Sequence, residues 1–265
     1  MPDNTPEKIV LHFGDEIQLE IDPEQRPQLA NYFKNLKKDD TFSNYDLACA
    51  FQDFDRDKDL PREIFDIVVA NYKREIEEKG NDEAMLRLGT LYYHGRGCEQ
   101  DYTKAVYYYE MAAEHGNKQA KENLGYCYYY GRSVRVDYEK AFHYFAIGAF
   151  EGRPVSLYKI GDMYKNGYYV KKDLEAAFRI YQNAYYKADE NSLGPICLRL
   201  GNAYLNGEGV KMNPRTALEY LQRAELYLYN MIKNGDEIYF KSLREAVDNQ
   251  NLARIKLSML LDSQE

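Results

Sequence analysis

The chain has 265 residues, of which 43 are acidic and 35 basic, and its formal net charge is -8 at pH 7. This charge argues against nucleic acid or an anionic membrane as the main ligand, and no apolar stretch approaches the roughly 18 residues that a membrane span needs. Because the N-terminus lacks a signal-peptide pattern and the four cysteines follow no disulfide or CxxC zinc pattern, we expect a cytoplasmic protein with no membrane or nucleic-acid partner, no metal and no cofactor.

Residues 1–40 are predicted to form an N-terminal extension. The segments IVLHF and IQLEI alternate apolar and polar residues around Gly14-Asp15, which indicates a short β-hairpin, and residues 23–38 read as a helix. A hairpin alone is marginally stable, so this one must dock on another part of the chain. We interpret the extension as an N-terminal cap; a partner-binding element is the alternative.

Residues 41–80 are interpreted as a degenerate helical pair. The segment 59–81 reads as a helix that ends at Gly80, in phase with Gly116 one unit later, and its partner helix is expected at 45–54. The intervening sequence DFDRDKD resembles a calcium loop, but it has no glycine at loop position six and no glutamate at position twelve. We therefore interpret it as a solvated acidic loop.

Between residues 81 and 227 a motif of small residues returns four times in the same order. A leucine or isoleucine precedes an anchor glycine, a tyrosine follows three residues after the glycine, and a turn glycine follows six after it. An aspartate or asparagine stands twelve residues after the anchor glycine and an alanine sixteen after it. The members are Gly89, Gly125, Gly161 and Gly201; Tyr92, Tyr128, Tyr164 and Tyr204; Gly95, Gly131, Gly167 and Gly207; Asp101, Asp137, Asp173 and Asn213; and Ala105, Ala141, Ala177 and Ala217. The first three copies are 36 residues apart and the last interval is 40. Such a period is typical of stacked arrays whose function lies in their surface shape.

Each copy predicts a helix, a turn and a second helix. In the first copy, residues 84–94 have helical apolar spacing, Gly95 ends the helix, and Asp101 is placed to cap a second helix at 102–115. Glycine inside a helix costs about 1 kcal/mol relative to alanine, so its recurrence in phase indicates a close crossing of the two helices. We expect the alanines of the second helix, such as Ala105, to form the opposite surface.

The motif resembles the Sel1-like repeat, a relative of the tetratricopeptide repeat. The resemblance is carried by AMLRLGTLYYHGRG followed by DYTKAVYYYEMAAEHGN, and by RLGNAYLNGEGVKMNPRTALEYLQRA in the fourth copy. The third copy departs from the pattern, with Tyr169 and Ala188 in place of glycines. The resemblance covers roughly residues 80–227 and implies an all-α fold, a right-handed α-α superhelix in which helix–turn–helix repeats form a solenoid, here with the small hairpin and helix extension at its start.

The solenoid is predicted to occupy residues 41–265 and to end in capping helices at 228–265. A single helix continues from Thr216 to Lys233, and Arg244 then stands where the next anchor glycine would fall. We interpret this last pair as a terminal cap with a polar outer face, because arrays need such ends to stay soluble.

The tetratricopeptide arrangement implies which residues line the concave face. These stand two before, one after, four after and five after each anchor glycine. They are Arg87, Thr90, Tyr93 and His94; Asn123, Tyr126, Tyr129 and Tyr130; Lys159, Asp162, Lys165 and Asn166; and Arg199, Asn202, Leu205 and Asn206. The series predicts a surface with tyrosines at one end and cations with amides further along; tyrosine and arginine are favoured at binding hot spots. An ordinary solvated groove is the alternative.

The resemblance implies a non-enzymatic scaffold or adaptor that binds a partner protein or peptide on this face, and we expect a monomer. One alternative is an immunity-type inhibitor that blocks a toxin or an enzyme with its acidic surface. A more remote alternative is a β-lactam-binding hydrolase, as described for cysteine-rich relatives, but this chain lacks their regular cysteine pairs. Its four histidines are scattered, and no HExxH, GxSxG or P-loop motif is present, so we expect no enzymatic activity.

Overall fold

The structure, a computed structural model, describes most of the chain from residue 62 onward and a short part of the N-terminal segment. The described residues are 9–13, 17–22, 24, 62–95, 98–233 and 237–262. The predicted helix at 23–38, the predicted partner helix at 45–54, the acidic loop DFDRDKD and the predicted domain boundary at residue 40 lie outside these residues. The chain divides into two compact units, Met1–Ala120 and Lys121–Glu265.

Helices dominate the described part of the chain. The elements are β1 (Ile9–Phe13), β2 (Ile17–Ile21), α1 (Arg62–Lys79), α2 (Asp82–His94), α3 (Tyr102–Glu114), α4 (Lys118–Tyr130), α5 (Tyr138–Phe150), α6 (Pro154–Asn166), α7 (Leu174–Lys187), α8 (Glu190–Asn206), α9 (Pro214–Lys233), a 3-10 turn (Glu237–Tyr239) and α10 (Phe240–Asp262). The predicted repeating pairs of helices are confirmed: α2 pairs with α3, α4 precedes α5, α6 pairs with α7 and α8 pairs with α9.

The first unit contains the two strands and helices α1 to α3. The strands pair antiparallel, with Ile9 opposite Ile21 and Phe13 opposite Ile17. Helix α1 packs on α2, and α2 packs on α3. Leu88 of α2 is fully buried in this packing.

The second unit continues the same packing. Helix α5 packs on α6, α6 on α7, α8 on α9, and α9 on α10. Its core is a series of apolar clusters, each formed by the two helices of one repeat and the helix that follows them. The core is therefore extended along the repeats, as the sequence period requires.

The turn inside each repeat has one geometry. The first helix ends at a glycine in the left-handed region, with φ of 69°, 70°, 73° and 72° at Gly95, Gly131, Gly167 and Gly207, so each turn glycine is required by the backbone. The next helix is capped as predicted: the side chains of Asp101, Asp137, Asp173 and Asn213 accept backbone N–H groups of its first turn. In all four repeats the cap residue also donates its own N–H to the carbonyl of the repeated tyrosine, at 2.9–3.0 Å.

The anchor glycines mark close helix crossings, but the predicted alanines are not the main opposite surface. A Cβ atom added at Gly161 would lie 2.5 Å from the Tyr181 ring, and one at Gly125 would lie 2.8 Å from the Phe145 ring. The residue that contacts each anchor glycine stands four positions after the repeated alanine of the second helix. Four residues are about one helical turn, so this larger side chain lies on the same side of the helix as the alanine and covers the glycine. The series is Tyr109, Phe145, Tyr181 and Leu221.

Helix α10 closes the second unit, and its exposed side carries both polar and apolar residues. Ala246, Gln250 and Ala253 are buried against the preceding helices, whereas Ile255 and Met259 are 54% and 65% exposed. Asp248, Asn251 and Arg254 are exposed on the same helix, so its outer side is mixed rather than uniformly polar. Arg244 is exposed as well, unlike the anchor glycines whose place it takes.

Candidate interaction surface

The predicted face residues lie on the first helix of each repeat. Those of the first repeat are on α2 in the first unit, and those of the other three repeats are on α4, α6 and α8 in the second unit. We call the surface formed by α4, α6 and α8 the first-helix face.

On α2 the four predicted residues are at least partly accessible. The Nε atom of Arg87 lies 2.7 Å from an Oε1 atom of Glu83 in an exposed ion pair, and Thr90 is half-buried. Tyr93 is also half-buried, and its ring meets the exposed His94 ring edge-on, with 5.1 Å between the centroids. This part of the surface is aromatic, with one ion pair beside it.

A buried ion pair occupies the centre of the first-helix face. Both carboxylate oxygens of Asp162 accept hydrogen bonds from Arg199, at 2.6 Å from Nε and 2.5 Å from Nη2, and the Tyr181 hydroxyl donates a third at 2.9 Å. Burial alone would raise the pKa of Asp162, but the guanidinium and the hydroxyl outweigh it and lower that pKa. The guanidinium also lies 4.4 Å from the centroid of the Tyr158 ring. The pair is thus bidentate, hydrogen-bonded and fixed in position.

Lys159 lies in a cage of tyrosine rings beside this ion pair. Its side chain is 5% exposed, and its Nζ atom lies 5.0 Å from the ring centroids of Tyr126, Tyr129 and Tyr130. The ammonium donates to the Tyr130 hydroxyl at 2.8 Å. Burial, aided by the nearby positive charge of Arg199 and opposed by Asp162, lowers the pKa of Lys159 to about 8.

These contacts follow one rule between successive repeats. In each case the residue two before an anchor glycine contacts a residue of the preceding repeat, the one that directly follows its anchor glycine. Arg199 binds Asp162 in this way, and Lys159 lies over Tyr126. In the fourth repeat Asn202, one after the anchor glycine, also reaches the following helix and donates to Glu245 of α10 at 2.8 Å, although Glu245 stands one after the position of Arg244 and not two before it. Part of the predicted face therefore joins the first helices to one another.

This arrangement corrects the predicted character of the face. Lys159, Asp162 and Leu205 are buried, and Arg199 is neutralised by Asp162, because neighbouring first helices approach closely enough for these side chains to meet across the repeats. The exposed members are Tyr130, Asn166 and Asn206, and the half-buried members are Asn123, Tyr126, Tyr129, Lys165, Arg199 and Asn202. The accessible surface is therefore mainly one of tyrosines and amides, and its two half-buried cations, Lys165 and Arg199, are paired with Glu208 and Asp162.

Three participating tyrosines were not among the predicted residues. Tyr158 and Tyr181 contact Arg199 and Asp162 as described, and the Tyr158 hydroxyl lies 3.1 Å from that of Tyr126. Tyr239 of the 3-10 turn raises the pKa of both Tyr126 and Tyr158, after the larger effect of burial. Tyr181 could have been found from sequence, since it stands at the recurring large position four after the repeat alanine.

The fold defines a protein built from repeated pairs of α-helices. The Sel1 repeat model matches residues 82–117, 118–149, 154–189 and 197–225, which together make up half of the chain. The chain belongs to the Sel1 repeat family.

Solved structures agree in fold. A Sel1 repeat protein from Oxalobacter formigenes is 23% identical, with a TM-score of 0.56 over 88% of this chain and 99% of that one. The protein c5321, a protective antigen present in uropathogenic Escherichia coli strains and displaying an SLR fold, is also 23% identical, with a TM-score of 0.55 over 89% of this chain and 49% of that one. None of the curated proteins is similar enough in sequence to count as a match.

The family carries a general function. Sel1 repeat proteins generally mediate protein–protein interactions and are typically non-catalytic scaffolds. Within the described residues, no group of three or more histidine, cysteine or acidic side chains could hold a metal ion. Nor does any helix in that part of the chain combine the length and apolar character needed to cross a membrane.

Proposed function

We propose that this protein is a non-enzymatic scaffold that binds an extended segment of a partner protein on the first-helix face, the face predicted to be concave. The observation that carries the proposal is the Lys159 cage. The Tyr130 side chain is 50% exposed, its ring is stacked on that of Tyr126 with 6.1 Å between the centroids, and its hydroxyl accepts a hydrogen bond from the buried ammonium at 2.8 Å. An exposed aromatic ring that is already held in position offers contact area at a low entropic cost.

The surroundings of Tyr130 suit a peptide backbone. Asn166 and Asn206 are exposed on the same set of first helices, and side-chain amides both donate and accept hydrogen bonds. The buried ion pair of Asp162 and Arg199 fixes α6 relative to α8, so these groups keep their spacing before a partner arrives. An extended segment with apolar side chains and an accessible backbone fits this chemistry better than a strongly charged one.

Photo-crosslinking tests the proposal. A benzophenone amino acid placed at Asn166 should give a covalent product with a partner in an extract of the source cells. The same group at Tyr186, an 83% exposed tyrosine on α7, is the matched control and should give none. Equal labelling from both positions, or labelling only from Tyr186, would contradict binding on the first-helix face.

A purified pair then gives the energetic test. Once the crosslinked partner is identified, calorimetric titration of the wild type against a Tyr130→Ala variant should show about tenfold weaker binding for the variant, since a hot-spot tyrosine contributes 1 kcal/mol or more. Tyr186→Ala should bind as the wild type does. Unchanged affinity in Tyr130→Ala would leave the partner on some other surface.

A further inference from the structure

Five tyrosines at the first-helix face form one continuous aromatic cluster, which we call the tyrosine cluster. The Tyr129 ring lies at its centre and meets three other rings edge-on. Its centroid lies 4.8 Å from that of Tyr130, 5.7 Å from that of Tyr138 and 6.0 Å from that of Tyr168. The Tyr138 and Tyr168 rings are stacked with 4.3 Å between their centroids, and Tyr126 is stacked on Tyr130. The cluster therefore joins rings of α4 to the first residue of α5 and to the turn that follows α6.

Each ring of the tyrosine cluster is held by its neighbours. Tyr130 is exposed and the other four tyrosines are half-buried, so the cluster can be reached from solvent. Every ring nevertheless has another ring of the cluster within 6.1 Å, measured between centroids. Side chains that are already restricted lose little conformational freedom when a partner covers them. The cluster is thus a preformed aromatic surface.

The charges beneath the tyrosine cluster favour an uncharged partner. Lys159 is covered by three of the rings, and Arg199 is bound by both carboxylate oxygens of Asp162, so a carboxylate placed over the rings reaches neither cation. Arg132, two residues after Tyr130, adds a further positive charge beside the cluster. A basic side chain would meet these cations against the single charge of Asp162 and would be repelled. Charge complementarity over the rings therefore favours a segment without charged side chains.

Hydrogen-bond donors lie beside the rings. The Tyr130 hydroxyl accepts from the Lys159 ammonium at 2.8 Å, which leaves its own O–H to donate to another group. Asn166, two residues before Tyr168, is exposed and gives one N–H to the Asp162 carbonyl at 2.8 Å, so its amide keeps a second N–H. Proline has a carbonyl but no N–H. A run of prolines therefore accepts from such donors and brings no backbone donor that must be satisfied.

The spacing of the rings suits a polyproline II helix. Tyr130 and Tyr168 both lie within 6.0 Å of Tyr129, so their centroids are separated by no more than twice that distance. A polyproline II helix repeats every three residues, or about 9 Å. The two rings are therefore within reach of prolines that are separated by one turn or less.

We propose that the tyrosine cluster binds a proline-rich segment of a partner protein in the polyproline II conformation. Such a segment keeps its shape in solution, so little entropy is lost on binding, and aromatic-lined grooves recognise its ridges. Prolines cover the Tyr130 and Tyr168 rings, and the Tyr130 hydroxyl and Asn166 donate to carbonyls of the segment. This binding takes place on the first-helix face and therefore rests on the proposed function.

Two proline peptides of identical composition test the conformation of the segment. Acetylated, amidated decaproline forms the polyproline II helix, whereas a decamer of alternating L- and D-proline cannot form it. In a calorimetric titration decaproline should bind saturably, and the alternating peptide should bind at least about tenfold more weakly. A decamer of alternating aspartate and proline should bind no more tightly than decaproline, because the surface over the rings favours an uncharged segment.

Substitutions at Tyr168 test the aromatic contact. Tyr168→Leu keeps an apolar side chain but removes the flat ring, and it should weaken decaproline binding about tenfold. Tyr168→Phe keeps the ring and should bind as the wild type does, as should Tyr186→Ala on α7. If Tyr168→Leu melts at a lower temperature, NMR of the wild type decides. Decaproline should then shift the ring signals of Tyr130 and Tyr168 and leave those of Tyr186 unchanged.

Four outcomes overturn the proposal: no binding of decaproline to the wild type, equal binding of the two proline decamers, tighter binding of the aspartate-containing decamer, or undiminished binding by Tyr168→Leu. Photo-crosslinking from Asn166 separates these outcomes from failure of the proposed function. Saturating decaproline should reduce the yield of that crosslink. A crosslink that forms undiminished overturns the proline-rich segment alone, whereas the absence of any crosslink specific to Asn166 overturns both proposals.

Discussion

Lys159 shows how a residue expected on a surface can become part of the interior. It stands two before an anchor glycine, where a free cation was predicted, yet its Nζ atom lies among three tyrosine rings and 4.0 Å from Asp162. Cation–π contacts and one hydrogen bond to Tyr130 replace part of its hydration. Its pKa of about 8, below the usual value of a lysine, indicates that burial outweighs them.

Replacing Lys159 by methionine should therefore leave the protein as stable or more stable at pH 7. In the folded wild type the lysine loses its proton near pH 8, whereas in the unfolded chain it keeps the proton to about pH 10.4. Between these values the unfolded state binds more protons, so wild-type stability rises with pH relative to Lys159→Met, by up to about 1.4 kcal/mol per pH unit. Urea unfolding of both proteins from pH 7 to 10 measures the difference.

The control for this pH series is Lys172→Met, at an exposed lysine. Its stability difference from the wild type should stay flat over the same range. A flat difference for Lys159→Met as well would show that the cage does not disfavour the ammonium.

At the scale of a helix pair, the anchor glycine and the large residue opposite it form one packing unit. In α6 and α7 these are Gly161 and Tyr181, and the Tyr181 ring is held at its far end by the hydrogen bond from its hydroxyl to Asp162. The ring cannot move away from an added methyl group without losing that bond. Alanine at Gly161 would otherwise favour the helix by about 1 kcal/mol.

Gly161→Ala should destabilise the protein by about 1 kcal/mol net, because overpacking of a filled crossing costs about 1–3 kcal/mol and exceeds the gain in helix propensity. In a Tyr181→Ala background the same change should become neutral or stabilising, since the ring is gone. Urea unfolding followed by circular dichroism gives the four free energies of this double-mutant cycle. Additivity within about 0.5 kcal/mol would mean that glycine and ring do not share the crossing.

The elements were predictable because their signals are local. Turn glycines, aspartate caps and the repeated alanines all fall within one period, and spacing alone places them on helices and turns. The network on the first-helix face is different, since Asp162 and Arg199 are 37 residues apart. The pattern of each first helix, taken by itself, places Asp162 and Arg199 on a solvent-exposed side. The sequence did contain a signal, since Asp162 and Arg199 have opposite charges and stand near successive anchor glycines. Only the packing of the helices shows that the two positions meet.

On the scale of the second unit, the contacts between successive first helices form a series that α10 terminates. Asn202 contacts Glu245 at 2.8 Å, and the Lys256 ammonium donates to the Leu205 carbonyl at 2.9 Å. Ala246 and Ala253 of α10 are fully buried in the same cluster as Leu205. A stacked array needs such a closing element, since its last repeat otherwise exposes the surface that a neighbour would cover.

Ending the chain after Lys233 should therefore expose this cluster. Burial of a single leucine side chain contributes about 2 kcal/mol, so the free energy of unfolding should fall by at least about that amount. The shortened protein should also bind the apolar dye ANS and elute from gel filtration as larger species. Ile255→Ser with Met259→Ser, two exposed positions on α10, is the control and should change none of these readouts. A shortened chain that melts and elutes like the full-length protein would show that the repeats need no terminal helix.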